Sequence, residues 1–150
     1  MTRVVSREPS PPAAIARLAL IFLTALSAPA SWGQRISDLP PSSFGITMPT
    51  LSAQAAAGQK AFDATCASCH GRFATGTDKG PPFLHDIYNP GHHADEAFLR
   101  AVRQGVRQHH WRFGDMPAQP QVSDAQLTQI VRYVRELQQA NGIRFKPHQM

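Results

Sequence analysis

Apolar residues along this chain recur every three or four positions, the spacing of a helix that buries one face. The first such segment covers residues 52–64, whose alanine, glutamine and lysine content favours helix. Ser52 is a suitable N-cap, and Ala55, Gly58 and Phe62 lie on one face of the predicted helix. A glycine inside a helix costs up to about 1 kcal/mol relative to alanine, so we expect another helix to approach closely at Gly58.

A second helical stripe is formed by Phe98, Val102 and Val106 within residues 95–106. Asp95 lies in the first turn of this segment, where a negative side chain interacts favourably with the helix dipole. The pattern therefore predicts a helix over these residues.

The third helix is predicted to begin at Ser123, because Ser123 and Gln126 form the Ser-x-x-Gln pattern of a capping box. Gly142 is a suitable stop. Residues 71–90 are rich in glycine and proline and are predicted as loop, and we find no convincing strand and no internal repeat. The sequence predicts a small all-α domain of three to five helices over residues 53–145. The apolar stripe of the third helix consists of Leu127, Ile130, Val131, Val134 and Leu137, with Tyr133 beside it.

The N-terminal segment has the pattern of an export signal. Three arginines, the last of them Arg17, precede an apolar run at residues 18–26, and small residues follow it. This predicts a secretory signal peptide over residues 1–33. The apolar run is shorter than the roughly 20 residues that span a bilayer, and the alternative is an uncleaved N-terminal anchor that associates the protein with a membrane. Residues 34–52, with three prolines and several serines, are predicted as an extended linker.

The charge of the chain gives little support to nucleic-acid binding. The whole sequence has a formal charge of +5, but residues 34–150 carry 12 basic and 9 acidic residues, a balance of only +3. No basic run interleaved with aromatic residues occurs. The sequence therefore predicts no nucleic-acid partner.

The most specific motif is Cys66-Ala67-Ser68-Cys69-His70, in which two thiols three positions apart are followed at once by an imidazole. This is the attachment pattern of a c-type haem: Cys66 and Cys69 form thioether bonds to the haem, and His70 is the proximal ligand of its iron. Both cysteines of the chain are thereby used. We therefore predict one covalently bound haem c.

Three other uses of this cysteine pair are disfavoured. A structural zinc site needs a second pair of ligands, and the chain has no further cysteine. A thioredoxin-like dithiol needs a βαβ pattern around it, which is absent from the sequence. A disulfide within Cys-x-x-Cys closes too small a loop to stabilise the fold much.

The predicted sixth ligand of the iron is Met116. Methionine sulfur raises the reduction potential of a haem and suits electron transfer. Met116 is followed by Pro117, which stiffens the backbone where a ligand must be held. The alternatives are Met48 in the linker and Met150 at the terminus. A bis-histidine haem would draw its ligand from His109 and His110, among other histidines.

Further residues are predicted to surround the haem. A metal-ligating histidine usually donates its other ring nitrogen to a carbonyl, and the segment with Pro81 and Pro82 is placed to accept from His70. Leu84, together with the neighbouring Phe83, is expected to pack on the macrocycle. The predicted haem walls are Trp111 and Phe113.

In order and spacing, these residues resemble class I cytochrome c, the small bacterial monohaem kind, over about residues 53–140. That resemblance implies that the first and last helices cross, with Gly58 and Phe62 against Tyr133 and its neighbours. It also implies that a proline carbonyl accepts from the proximal histidine, with Pro81 and Pro82 both possible. The chain departs from the family at His109-His110-Trp111. The shared pattern consists of Gly58, Phe62, Cys66, Cys69, His70, Gly71, Gly80, Pro81, Pro82, Leu84, Met116, Pro117 and Tyr133.

The resemblance implies a periplasmic one-electron carrier that exchanges electrons with redox partner proteins and is not itself an enzyme. One alternative is a haem subunit of a larger oxidoreductase complex. The other is a peroxidase-like haem enzyme with a labile sixth ligand and a distal base at His109 or His110.

Overall fold

The computed structural model describes residues 39–147, and within them the fold is all-α, as predicted. Four α-helices occur there: α1 at Ala53–Thr65, α2 at Ala67–His70, α3 at Asp95–Gln104 and α4 at Asp124–Ala140. Short 3₁₀ helices lie at Pro41–Phe44, Arg72–Ala74 and Asp86–Tyr88. The predicted signal peptide, residues 34–38 of the predicted linker and Met150 lie outside the described residues.

Helix α1 begins where the sequence predicts and packs closely against α4. The Ser52 hydroxyl accepts a hydrogen bond from the Ala55 N–H at 3.2 Å, which caps the helix. A Cβ atom added to Gly58 would lie 1.9 Å from the Gln129 carbonyl oxygen of α4. The glycine therefore allows the two backbones to approach, which confirms the expected use of Gly58.

Helix α4 supplies much of the core. The capping box is present, with the Gln126 N–H donating to the Ser123 hydroxyl and the Ser123 N–H donating to the Gln126 side chain. The rings of Phe62 and Tyr133 lie 5.5 Å apart, as the family resemblance implies. The predicted stripe is buried throughout, at Leu127, Ile130, Val131, Tyr133, Val134 and Leu137.

The Tyr133 hydroxyl gives the first testable prediction. It is buried and has no hydrogen-bond partner within the described part of the chain, and burial raises the pKa of Tyr133. Because an unsatisfied buried polar group costs about 1–3 kcal/mol, Tyr133→Phe should leave the free energy of unfolding unchanged or raise it by about 1 kcal/mol. Urea denaturation measures this, and a loss of stability above about 1 kcal/mol would show that the hydroxyl has a partner.

Helix α3 is shorter than predicted, because it ends at Gln104 and leaves Val106 outside it. Gly105 has φ +77° and breaks the helical backbone. Val106 instead pairs with Met116 through two backbone hydrogen bonds of 2.9 Å, an isolated antiparallel bridge. A Cβ on Gly105 would lie 2.6 Å from the Met116 carbonyl oxygen, so only glycine permits this approach. The expectation that Val106 belongs to the helix was wrong, but Val106 holds Met116 in place.

The described part of the predicted linker contacts α4. Ile46 is buried in the core. The Thr47 N–H donates to the Asn141 side chain at 2.9 Å, and that side chain donates back to the Thr47 carbonyl at 2.9 Å. The Ser52 N–H donates to a carboxylate oxygen of Glu136 at 2.9 Å. These contacts attach residues 46–52 to the last helix.

Candidate functional site

Helix α2 carries the Cys-x-x-Cys-His motif and follows α1 almost without a break. Cys66 is at once the C-cap of α1 and the N-cap of α2, and its N–H donates to the Phe62 carbonyl at 2.7 Å. The two cysteines are not joined in a disulfide, and Cys66 is half-buried whereas Cys69 is exposed. Burial raises the pKa of Cys66 to about 11, and the neighbouring Cys69 and Asp63 contribute smaller increases. A redox-active dithiol has a lowered thiol pKa, so the raised value argues against that alternative.

His70 is buried and its ring is held in a defined orientation. Its Nδ1 atom lies 3.0 Å from the carbonyl oxygen of Pro81. Because a carbonyl only accepts, Nδ1 carries the proton, and the lone pair of the neutral ring is at Nε2. Burial lowers the pKa of His70, although the Pro81 hydrogen bond opposes the change. The structure thus presents a neutral imidazole, the form that binds a metal, and assigns the carbonyl to Pro81 and not to Pro82.

Next to His70 lies a cavity of about 530 Å³, a size typical of cofactor sites, which range over about 300–1,000 Å³. It is bordered by α3, α4, the end of α1, and the loop between Val106 and Met116. Thiol, imidazole, thioether and apolar side chains meet there, a set of groups that fits a covalently attached haem. The predicted residues that line the cavity are Cys66, His70, Pro81, Trp111, Phe113 and Met116, together with Leu127, Ile130 and Val131 of α4.

The structure does not bring every predicted residue to the cavity. Of the described residues, Cys69, Pro82 and Leu84 are not among those that line it. Cys69 lies at the exposed end of the motif. Leu84 is partly buried and packs against the hydrophobic core.

The candidate sixth ligands of the iron differ in their surroundings. Met116 is half-buried, lines the cavity, and has both backbone groups fixed by Val106. Met48 packs against the core and, among the described residues, is not part of the cavity lining. His109 and His110 also line the cavity, but both are exposed and lie in the loop that Met116 closes. Met116 is therefore the better placed of these groups.

Sequence analysis named Phe83 but missed Tyr88 and Gln138, which support the loop after the motif. Phe83 stacks on the His70 ring at 4.3 Å, and Tyr88 meets Phe83 edge-on at 5.1 Å. The buried Gln138 side chain donates to the carbonyls of Phe83 at 2.9 Å and Tyr88 at 3.1 Å. Gln138 follows Val134 by four positions and so continues the buried stripe of α4. A polar residue at such an apolar position was the feature of the sequence that could have revealed this support of the loop.

No helix between residues 39 and 147 is both long and apolar enough to cross a lipid bilayer.

Comparison with known proteins identifies the family of the chain. The cytochrome c family matches residues 55–138, more than half of the chain. The chain is similar to the Cbb3-type cytochrome c oxidase subunit CcoP of Rhodobacter capsulatus, with 33% identity over 93 residues. That alignment covers 59% of this chain and 31% of CcoP, so the chain spans about a third of the length of this relative. No solved structure matches the chain. The protein belongs to the cytochrome c family and carries covalently bound haem c.

Proposed function

We propose that this protein is a periplasmic one-electron carrier whose haem is attached through Cys66 and Cys69, with His70 and Met116 as the axial ligands. The observation that carries the proposal is the pairing of two restrained ligands at one cavity. His70 is oriented by the Pro81 carbonyl, and Met116 is held by its bridge to Val106. When bound, the haem supplies a one-electron Fe(III)/Fe(II) couple.

The side chains around the cavity support a carrier and not a catalyst. If His70 and Met116 both bind the haem iron, no coordination position would remain for a substrate. Apolar side chains of α4 line the cavity and Phe83 stacks on the His70 ring, an arrangement that would limit the access of water to the proximal side. The exposed Cys69 marks the side on which the haem edge would be open to a redox partner.

Substitution of Met116 tests the axial assignment. Met116→Ala should abolish the methionine-to-iron charge-transfer band of the oxidised protein and allow carbon monoxide to bind the reduced protein readily. The reduction potential should fall by on the order of 0.1 V, since axial ligands set haem potentials over a range of about 0.8 V. Optical spectroscopy and potentiometric titration measure these changes.

The matched control is Met48→Ala, because Met48 packs against the core and does not line the cavity. This variant should keep the band and the potential. Persistence of the band in Met116→Ala would contradict the assignment, and rapid carbon monoxide binding by the unchanged protein would favour a peroxidase-like enzyme.

A second candidate function is that of a haem subunit in a larger oxidase. The similarity to CcoP, whose name describes a subunit of a Cbb3-type cytochrome c oxidase, favours it. Purification from gently solubilised membranes separates the two candidates. A subunit should elute with its complex, whereas a free carrier should be released into the periplasmic fraction. The intact mass of the purified protein tests separately whether residues 1–33 are cleaved or retained as an anchor.

A further inference from the structure

Three histidines outside the haem-attachment motif converge at the rim of the cavity. His92 and His93 follow the Asp86–Tyr88 helix, and His110 belongs to the loop between Val106 and Met116. Each offers a ring nitrogen, and the three nitrogens lie within 4.8 Å of one another. Two segments that are separate in the chain thus bring three imidazoles to one point.

The His93 ring is already oriented as a ligand. Its Nδ1 atom lies 2.8 Å from the Ile87 carbonyl oxygen, so Nδ1 carries the proton and Nε2 holds the lone pair. Arg135 of α4 donates to the His93 carbonyl, which ties this residue to the last helix. A carbonyl that fixes the tautomer of a histidine is a usual support of metal ligands in proteins.

The remaining two rings need only small movements to complete a site. The ring centroid of His110 lies 5.4 Å from that of His92 and 5.2 Å from that of His93. At metal–nitrogen distances of about 2.0–2.1 Å, tetrahedral coordination of Zn²⁺ places ligand nitrogens about 3.3 Å apart, and tetragonal coordination of Cu²⁺ places neighbouring nitrogens about 2.9 Å apart. The three ring nitrogens already lie within 4.8 Å of one another, so modest side-chain rotation would be needed to bring them to that spacing around one ion.

The electrostatic surroundings select the kind of ion. Among the described residues that line the cavity none is acidic, whereas Arg100 and Arg107 are present. A hard cation such as Ca²⁺ or Mg²⁺ depends on oxygen ligands and would find none of the carboxylates it prefers there. Neutral imidazole suits Cu²⁺, Ni²⁺ and Zn²⁺, with Cu²⁺ bound most strongly.

The protonation state of the cluster is compatible with this choice. Burial lowers the pKa of His110, and the positive charge of neighbouring histidines lowers it further. Burial also lowers the pKa of His93, together with the charges of His92, His109 and Arg135. A lowered pKa favours the neutral ring, the form in which histidine binds a metal.

We propose that His92, His93 and His110 form a binding site for one late first-row transition-metal ion, Cu²⁺ in preference to Zn²⁺, with the fourth position taken by water. The site lies at the rim of the haem cavity and is separate from the haem ligands His70 and Met116. It uses neither the haem-attachment cysteines nor the assigned axial ligands, and its three histidines line the same cavity as those residues.

The test is metal titration of the oxidised holoprotein without a histidine tag. Cu²⁺ alone and Zn²⁺ alone should each bind in a one-to-one ratio by calorimetry, and Cu²⁺ should bind more tightly. The electron paramagnetic resonance spectrum of bound Cu²⁺ should show nitrogen coupling. His110→Ala should weaken binding at least roughly tenfold, since even the loss of a supporting residue costs about 10–100-fold. The double variant His92→Ala, His110→Ala should lose one-to-one binding.

The matched control is His85→Asn, which removes an exposed imidazole outside the cluster but keeps a side-chain oxygen that can accept from the Ile87 N–H, as the His85 ring does. It should keep the affinity of the unchanged protein. Absence of one-to-one binding, or equal affinity in the double variant, would overturn the proposal. A changed haem absorption spectrum in His110→Ala would identify His110 as a haem ligand and would likewise overturn it.

Discussion

Simultaneous replacement of Cys66 and Cys69 by alanine should remove all covalently bound haem and leave a chain that does not reach its compact fold. The cavity of about 530 Å³ lies against α3 and α4, so the haem completes the core. At about 24 cal/mol per Å³, an empty cavity of 530 Å³ corresponds to about 13 kcal/mol. Because water can enter the cavity, this value is an upper bound on the destabilisation. Even part of it would be comparable to the total stability of a domain, which is about 5–15 kcal/mol.

Haem staining of a denaturing gel measures the first effect, after expression with a c-type maturation system. Far-ultraviolet circular dichroism measures the second, as a loss of helical signal. The control is Ser68→Ala, an exposed position inside the same motif, which should stain like the unchanged protein. Haem staining that survives the double substitution would refute covalent attachment at these cysteines.

The second large effect is expected for Gly58→Ala, which should destabilise the holoprotein by about 3 kcal/mol or more. The added Cβ would lie 1.9 Å from the Gln129 carbonyl oxygen and 2.9 Å from the Ile130 nitrogen. These are backbone atoms of α4 and cannot rotate away, so the two helices must separate. The gain of about 1 kcal/mol in helix propensity is too small to offset that separation.

Guanidinium denaturation of the two holoproteins, followed by circular dichroism, gives the difference in free energy of unfolding. Gln54→Ala is the matched control, because it also introduces alanine into α1 but at an exposed position. It should change stability by less than about 0.5 kcal/mol. If Gly58→Ala were as stable as this control, the close approach of α1 and α4 would not be needed for the fold.

Local patterns were sufficient to predict α1, α4 and most of α3, but not the one-turn helix α2. The caps at Ser52 and Ser123 depend on side chains three residues apart, so they are readable from the sequence, and both are present. The end of α3 was misplaced because Val106 continues the apolar spacing of Phe98 and Val102. The bridge from Val106 to Met116 that replaces this helical turn joins residues ten positions apart, which periodicity does not detect.

Around the haem-attachment motif, too, some features can be predicted from the sequence and others are decided only by the folded structure. Pro81 and Pro82 are adjacent and chemically alike, so only the folded backbone decides which carbonyl faces His70. The support of this loop by Gln138 joins residues 55 positions apart in one hydrogen bond. Such contacts result from the packing of α4 against the loop and leave no short pattern in the sequence.

By itself, the sequence determined the helical class, the haem-attachment motif and the candidate axial methionines, because each depends on neighbouring residues with fixed chemistry. Tertiary structure decided that Met116 lines the cavity while Met48 packs in the core, and that His92, His93 and His110 meet at its rim. The physical reason is that a cavity and a cluster of ligands are formed by segments that are distant in the chain. Their meeting depends on how the helices pack, and that packing is set by the whole core.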